Sequence, residues 1–207
     1  MNQKAIKYGV GIVLLGLLGY NSVYIQPLDQ RQAENHQEVF DAHEYVESIW
    51  DQELSEVYRD APDFLQLITD LKSDAAATFE KSGNALGIGN IGYFRVKGEG
   101  RVTSVDENHV LLQVGDKSVE IETEFIYGNA LRDASGLVKI NDYPNTSDFN
   151  TISEEINAKI RQDIVPAFRS ALKTGDQVSF EGAMELNQAH LNLEALEVIP
   201  FTLKINP

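Results

Sequence analysis

The sequence predicts an α+β protein. It reads as an N-terminal membrane helix, a small helical hairpin subdomain, then a five-stranded antiparallel barrel with a helix inserted between strands three and four. Three observations carry that prediction. The chain holds no charged residue between Lys7 and Asp29. Apolar residues then recur at steps of three and four from about residue 36 to residue 79. From Tyr93 the apolar period drops to two, and it returns to a helical period only between Ser147 and Leu172.

The first element is Tyr8 to Ile25, dominated by Val10, Ile12, Val13, Leu14, Leu15, Leu17 and Leu18. A helix of that length spans about 27 Å at ~1.5 Å per residue, enough for a hydrocarbon core. Lys4 and Lys7 precede it and acids follow, so the positive-inside rule puts the N-terminus in the cytoplasm and the rest outside. The alternative is a cleaved signal peptide with Val10 to Leu18 as its apolar region. Cleavage wants small residues at alternate positions, and Leu17 or Tyr20 would occupy the upstream site. An uncleaved signal anchor over 1–25, in the inner membrane through residues 8–25, is therefore the better reading.

Residues 26–35 are polar and form a stalk. Residues 36–92 form the helical subdomain with a Gly-rich linker. In its first helix Val39, Phe40, Val46, Ile49, Trp50, Leu54 and Val57 lie on one face. The second is expected to start near Asp60 as cap, with Pro62 in its first turn and Gly83 as its stop. Residues 93–207 form the barrel domain. Strands are expected at Tyr93 to Val105, His109 to Val114 and Ser118 to Ile126, with a possible short one at Leu137 to Ile140. Gly98 and Gly100 allow a bulge in the first. A helix over Ser147 to Leu172 follows, kinked or split near Ile164 by Pro166. Asp176 to Leu186 and His190 to Ile199 close the domain. This is the element order of an OB-fold.

Composition narrows the function. Lys and Arg number 17 against 32 Asp and Glu, a formal charge of −15, so nucleic acid and anionic lipid are poor partners. There is no Cys, which excludes disulfides, thiolate metal sites and a Cys nucleophile, and His numbers 4. No cofactor and no metal are expected.

Several segments read together: Val23 to Asp29, Trp50, Val96 to Val102, Tyr127 to Gly136, Asp148-Phe149-Asn150 and Gly175 to Gly182. In this combination the chain resembles a bacterial domain-of-unknown-function family, the predicted periplasmic lipoproteins often encoded beside sugar ABC-transporter genes. The resemblance implies a helical subdomain with an OB-like domain, and association with ABC-transporter subunits. It supplies no activity. This chain departs from the family in having no Cys to lipidate, which makes a helix its anchor, or leaves it without one where the segment is cleaved.

Gly87-Ile88-Gly89-Asn90-Ile91-Gly92 matches the dinucleotide fingerprint, but a helix enters it and a strand leaves, the reverse of what pyrophosphate binding needs. His43 and Glu47 sit four apart like two zinc ligands, with no third ligand in view. Arg95, Lys97 and Arg101 share one strand face, and Glu120, Glu122 and Glu124 share another, which suggests cross-strand ion pairs. Asp142, Asn145 and Asp148 lack the spacing of a Ca²⁺ loop and read as a turn before a helix cap.

The best candidate site is the loop framed by Gly128 and Gly136. Arg132 could hold a carboxylate or a sugar hydroxyl, with Asn129 and Asp133 completing a polar hydrogen-bonding set, and Asn150 and Asn157, two helical turns apart, would face it. The plainer reading has Arg132 and Asp133 fixing a tight turn. The leading functional expectation is a non-catalytic accessory or interaction protein of a sugar-uptake transporter. The alternative is a periplasmic solute-binding module that recognises a small polar ligand such as a sugar through the Gly128–Gly136 loop. That alternative requires Trp50, Phe125, Tyr127 or Tyr143 beside Arg132 as an aromatic platform. An interaction module should instead expose an apolar patch rimmed by polar residues.

Overall fold

The computed structural model describes Tyr8, Gly11, Val13, Gly16, Leu17, Leu18 and Tyr20, and residues 40–207 apart from Leu86 and Ile88. The described N-terminal residues are helical. The rest of the expected membrane span, and the stalk, lie outside the described residues. Among the described residues no helix is long and apolar enough to cross a membrane.

Helix α1 (Ala42–Ile49) is capped by the Asp41 carboxylate, which accepts from the Glu44 N–H at 3.0 Å. It passes through one π-helical segment, Trp50–Leu54, into α2 (Ser55–Arg59). The next helix starts later than expected. Asp60 ends α2, and Asp63 caps α3 (Phe64–Ser73) through the Gln66 N–H, leaving Pro62 before the cap. Asp74, in an extended conformation, stops α3 and caps α4 (Ala75–Ser82). Its carboxylate offers the backbone a local partner, so it interrupts what the apolar stripe alone predicts as one helix.

The sheet contains six strands: β1 (Gly83–Asn84), β2 (Ile91–Val105), β3 (His109–Val114), β4 (Lys117–Glu122), β5 (Gln177–Asn187) and β6 (Leu196–Asn206). Pairing runs β1-β2-β3-β4-β6-β5, and β5 pairs again with β2. The short β1 was not expected, and β4 pairs with β6 in parallel, so the sheet is not wholly antiparallel. Strand β2 joins β5 along Ile91 to Arg101 and β3 along Arg101 to Val105. Its register shift falls between Val102 and Ser104, not at Gly98 or Gly100. Those glycines serve close packing: a Cβ on Gly98 would lie 2.8 Å from the Phe180 ring, and one on Gly100 2.8 Å from Val114.

Other boundaries moved too. Strand β4 stops at Glu122, because its Oε1 accepts from the N–H groups of Thr123, Glu124 and Phe125 and turns the chain. Residues 137–140 form no strand; a 3₁₀ turn covers Ile140–Asp142. The closing strand begins at Leu196 rather than His190, which lies in a 3₁₀ turn capped by Asn187. Helix α5 (Ala130–Ser135) follows the β4 turn. Helix α6 (Thr146–Lys159) leads through a second π-helical segment, Ile160–Ile164, into α7 (Val165–Ala171). The break falls where Pro166 removes a helical donor, as the sequence predicts.

Asp41–Pro207 forms one compact unit. Phe64, Leu67, Ile68 and Leu71 of α3 share a core with Phe94, Val96, Phe180, Val198 and their neighbours on the strands. Trp50 and Tyr58 both pack on Phe201 of β6, at 4.8 and 4.5 Å between ring centroids. The expected pairing of Arg95 and Lys97 with the glutamates of β4 does not form, since β3 separates β2 from β4. Instead, Arg95 donates to the Val57 carbonyl at 2.9 Å and Lys97 to the Arg59 carbonyl at 2.7 Å. Two cations thus cap the C-terminal end of α2.

Candidate binding site

A cleft of about 600 Å³ opens between the β4–α5 connection and α6. One wall is Tyr127, Gly128 and Asn129; the other is Asn150, Ser153, Glu154 and Asn157 of α6, with Arg161 of the following π segment. The connection is held at three points. Glu122 grips its first N–H groups at 2.8–2.9 Å. Arg161 donates to the Ile126 carbonyl. Asn157 Nδ2 donates to the Gly128 carbonyl at 2.9 Å, where a φ of 79° suits glycine. Ile126 is fully buried, while Phe125 and Tyr127 on either side are 58% and 63% exposed. The buried residue fixes the backbone and leaves both rings facing outward.

The predicted residues divide into two groups. Gly128, Asn129, Asn150 and Asn157 converge on the cleft. Arg132 and Asp133 do not: their side chains are 0% and 1% exposed, and Arg132 Nε donates to Asp133 Oδ1 at 2.8 Å. Arg132 also donates to the Phe149 carbonyl at 2.8 Å, with its guanidinium carbon 3.5 Å above the Phe149 ring. Burial pushes the Asp133 carboxyl above the usual carboxylate range, against the pull of Arg132. Gly136, with φ 69°, closes α5 from behind, beside Asn84. These residues build the scaffold of the loop and are not presented to a ligand in the cleft.

Ser153, Glu154 and Arg161 escaped sequence reasoning. A signal existed: with Asn150 and Asn157 they fall at helical steps on one side of α6, a polar stripe flanking the core residues Phe149, Ile152 and Ile156. Among the described residues, Arg132 Nη2, Asp133 Oδ2 and Ser153 Oγ are the buried polar atoms without a hydrogen-bond partner. The Phe149 carbonyl, four residues before Ser153, already accepts from Arg132.

The cleft's charges are Glu154 and Arg161, one of each sign, and the Arg161 guanidinium carbon lies 4.7 Å from the Tyr127 ring centroid. Of the other lining groups, the Asn150 amide and the Tyr127 phenol ring are exposed and Asn129 is half-buried, while Ser153 and Asn157 are buried and the Asn157 amide already donates to the Gly128 carbonyl. Such a set can donate and accept hydrogen bonds around a flat face without favouring a charged ligand.

A smaller cleft of about 360 Å³ lies on the other side of the same connection. It shares Tyr127, Gly128 and Asn129 and adds Phe125, Glu185 and Glu197. Desolvation, then Glu122, Glu120 and Glu185, push the Glu197 carboxyl above its usual range. A third cleft, about 510 Å³, opens at Asp63, Lys97, Glu99 and Glu181, remote from the predicted residues. It presents no exposed ring, since its phenylalanine, Phe180, is buried. His43 and Glu47 hold no common ligand site: His43 meets Glu155 at 3.3 Å and Glu47 meets Lys159 at 2.6 Å.

The strand order, with a helix between β4 and β5, defines an OB-fold protein carrying a polar, aromatic-edged cleft beside that helix. Residues 13–204 match DUF2291, the predicted periplasmic lipoproteins, and the chain belongs to that family. A crystal structure of an OB-fold protein from Thermotoga maritima, at 1.90 Å resolution, superposes with a TM-score of 0.72 at 21% identity. The match covers 81% of this chain and 99% of that one. A comparison with curated proteins finds no match.

Proposed function

We propose that this protein is a non-catalytic, extracytoplasmic binding module that takes a small neutral polar ligand, such as a sugar, in the cleft between Tyr127 and Arg161. One observation carries the reading: an exposed aromatic ring stands beside amides from two elements, Asn129 on the connection and the exposed Asn150 on α6, with Asn157 fixing the connection between them. That combination is what a sugar site requires, a flat apolar face with donors and acceptors around it. Membership of a predicted periplasmic lipoprotein family supports the location. Residues 8–25 would hold the protein in the inner membrane, with the N-terminus cytoplasmic. Delivery of the ligand to an ABC-type uptake system is the role that the sequence resemblance suggests.

The test uses the ¹⁵N-labelled full-length chain in a detergent without a sugar headgroup, titrated with glucose, galactose, mannose and ribose. The expected result is saturable shifts of the Asn129, Asn150 and Asn157 side-chain amides, absent in a folded Tyr127→Ala variant. If none of the sugars moves those amides, the ligand reading is overturned. Co-purification of transporter subunits from membranes tests the delivery role separately.

A further inference from the structure

The two clefts that flank the connection are not independent, because each is walled by Tyr127, Gly128 and Asn129. The smaller one adds a second exposed ring, Phe125, and two carboxylates, Glu185 and Glu197. Tyr127 N–H donates to the Phe125 carbonyl at 3.1 Å, closing a three-residue turn around the buried Ile126. The two rings therefore belong to one short backbone unit, with Cα atoms at most about 7 Å apart. Phe125 lines the smaller cleft and Tyr127 lines both, so successive rings of a chain can each meet an exposed aromatic side chain.

We infer that the ligand is a neutral glycan of at least two rings lying across the Tyr127–Asn129 segment, one ring in each cleft. This rests on the binding role proposed above and extends it. Carboxylates accept hydrogen bonds and cannot donate them when ionised, so Glu185 and Glu197 suit a hydroxyl-rich ring. They also set the charge. Anionic sugars would meet Glu154, Glu185 and Glu197 on a chain of formal charge −15. Arg161, the cation at the site, is already engaged by the Ile126 carbonyl and the Tyr127 ring. An acidic ligand would be repelled without a partner to compensate it.

The experiment compares, on the same full-length chain, the neutral monosaccharides above with maltose, cellobiose and lactose, and with glucuronate. At least one disaccharide is expected to bind at least about tenfold more tightly than any monosaccharide. Glucuronate should bind more weakly than glucose. Phe125→Ala and, separately, Glu197→Gln should remove the disaccharide gain while leaving monosaccharide shifts at Asn157 intact. Both side chains are exposed, so the variants should remain folded, as their thermal unfolding would verify. Equal affinity for one and two rings, a gain that survives Phe125→Ala, or glucuronate binding as tightly as glucose would each overturn the inference and leave the monosaccharide site standing. Silence from every sugar overturns both.

Discussion

Arg132 lies over Phe149, its guanidinium carbon 3.5 Å from the ring centroid and its Nη1 donating to the Phe149 carbonyl at 2.8 Å. This contact ties α5 to α6, beneath the cleft that the β4–α5 connection forms with α6. The arginine that stands out in the sequence as a ligand-binding group therefore acts on the cleft from beneath. Buried against Asp133, it cannot be removed cheaply. Arg132→Ala should cost about 3–5 kcal/mol in denaturant unfolding, because it leaves the Asp133 carboxyl buried without its counter-charge. The double change Arg132→Met with Asp133→Leu should cost less than Arg132→Ala alone, since no buried charge is then orphaned.

Glu197 gives a prediction in pH. It stands directly opposite Glu120 in the parallel β4–β6 pair, and its carboxyl is pushed up in the folded protein. The unfolded chain therefore releases this proton at a lower pH than the folded one. Stability is held below the ordinary carboxylate range and lost as pH rises through the raised folded value. Glu197→Gln should be more stable than the parent at pH 7, by roughly 0.2–1 kcal/mol from relief of the like-charge pair. The two proteins should converge near pH 3. Urea midpoints measured across that range decide it.

Arg95 and Lys97 reach from β2 to the last carbonyls of α2. Arg95 is the more buried of these contacts, so Arg95→Ala should cost roughly 1.5–3 kcal/mol, the range for a hydrogen bond to a charged group. Lys97→Ala, in an exposed contact, should cost less. Hydrogen exchange should show faster opening of α1 and α2 in the Arg95 variant, with the central strands little changed.

Gly182 sits where β5 and β6 shift register, and a Cβ there would collide with the Ile199 carbonyl and lie 2.7 Å from Val198 Cγ1. Backbone cannot yield as a flexible side chain does. Gly182→Ala should therefore lose about 3 kcal/mol or more. Gly98→Ala meets the end of a phenyl ring at 2.8 Å instead and should lose less. Thermal unfolding of the two variants gives the order.

Much of the architecture is legible in the amino-acid order. The change of apolar period at Tyr93 marks the start of the sheet, and the stripe from Phe149 to Phe168 marks the helix before β5. The local stops are less legible. Asp74 breaks a continuous apolar stripe, and Glu122 ends a strand, because each carboxylate satisfies backbone N–H groups that the regular element would otherwise use. Periodicity records which faces are apolar; it does not record which side chain captures the backbone.

By itself, the sequence determined the change of apolar period at Tyr93, the apolar stripe of α6 and the framing of the candidate loop by Gly128 and Gly136. Tertiary structure decided which polar residues face solvent. Arg132, Asp133 and Asn150 look alike as polar residues near one loop, yet the first two are sealed under α6 and the third is exposed. The reason is physical: a charge can be buried only when it is paired and hydrogen-bonded, some of its acceptors coming from distant parts of the chain. Arg132 finds Asp133 beside it and the Phe149 carbonyl 17 residues on. That convergence exists only once α5 and α6 have packed together.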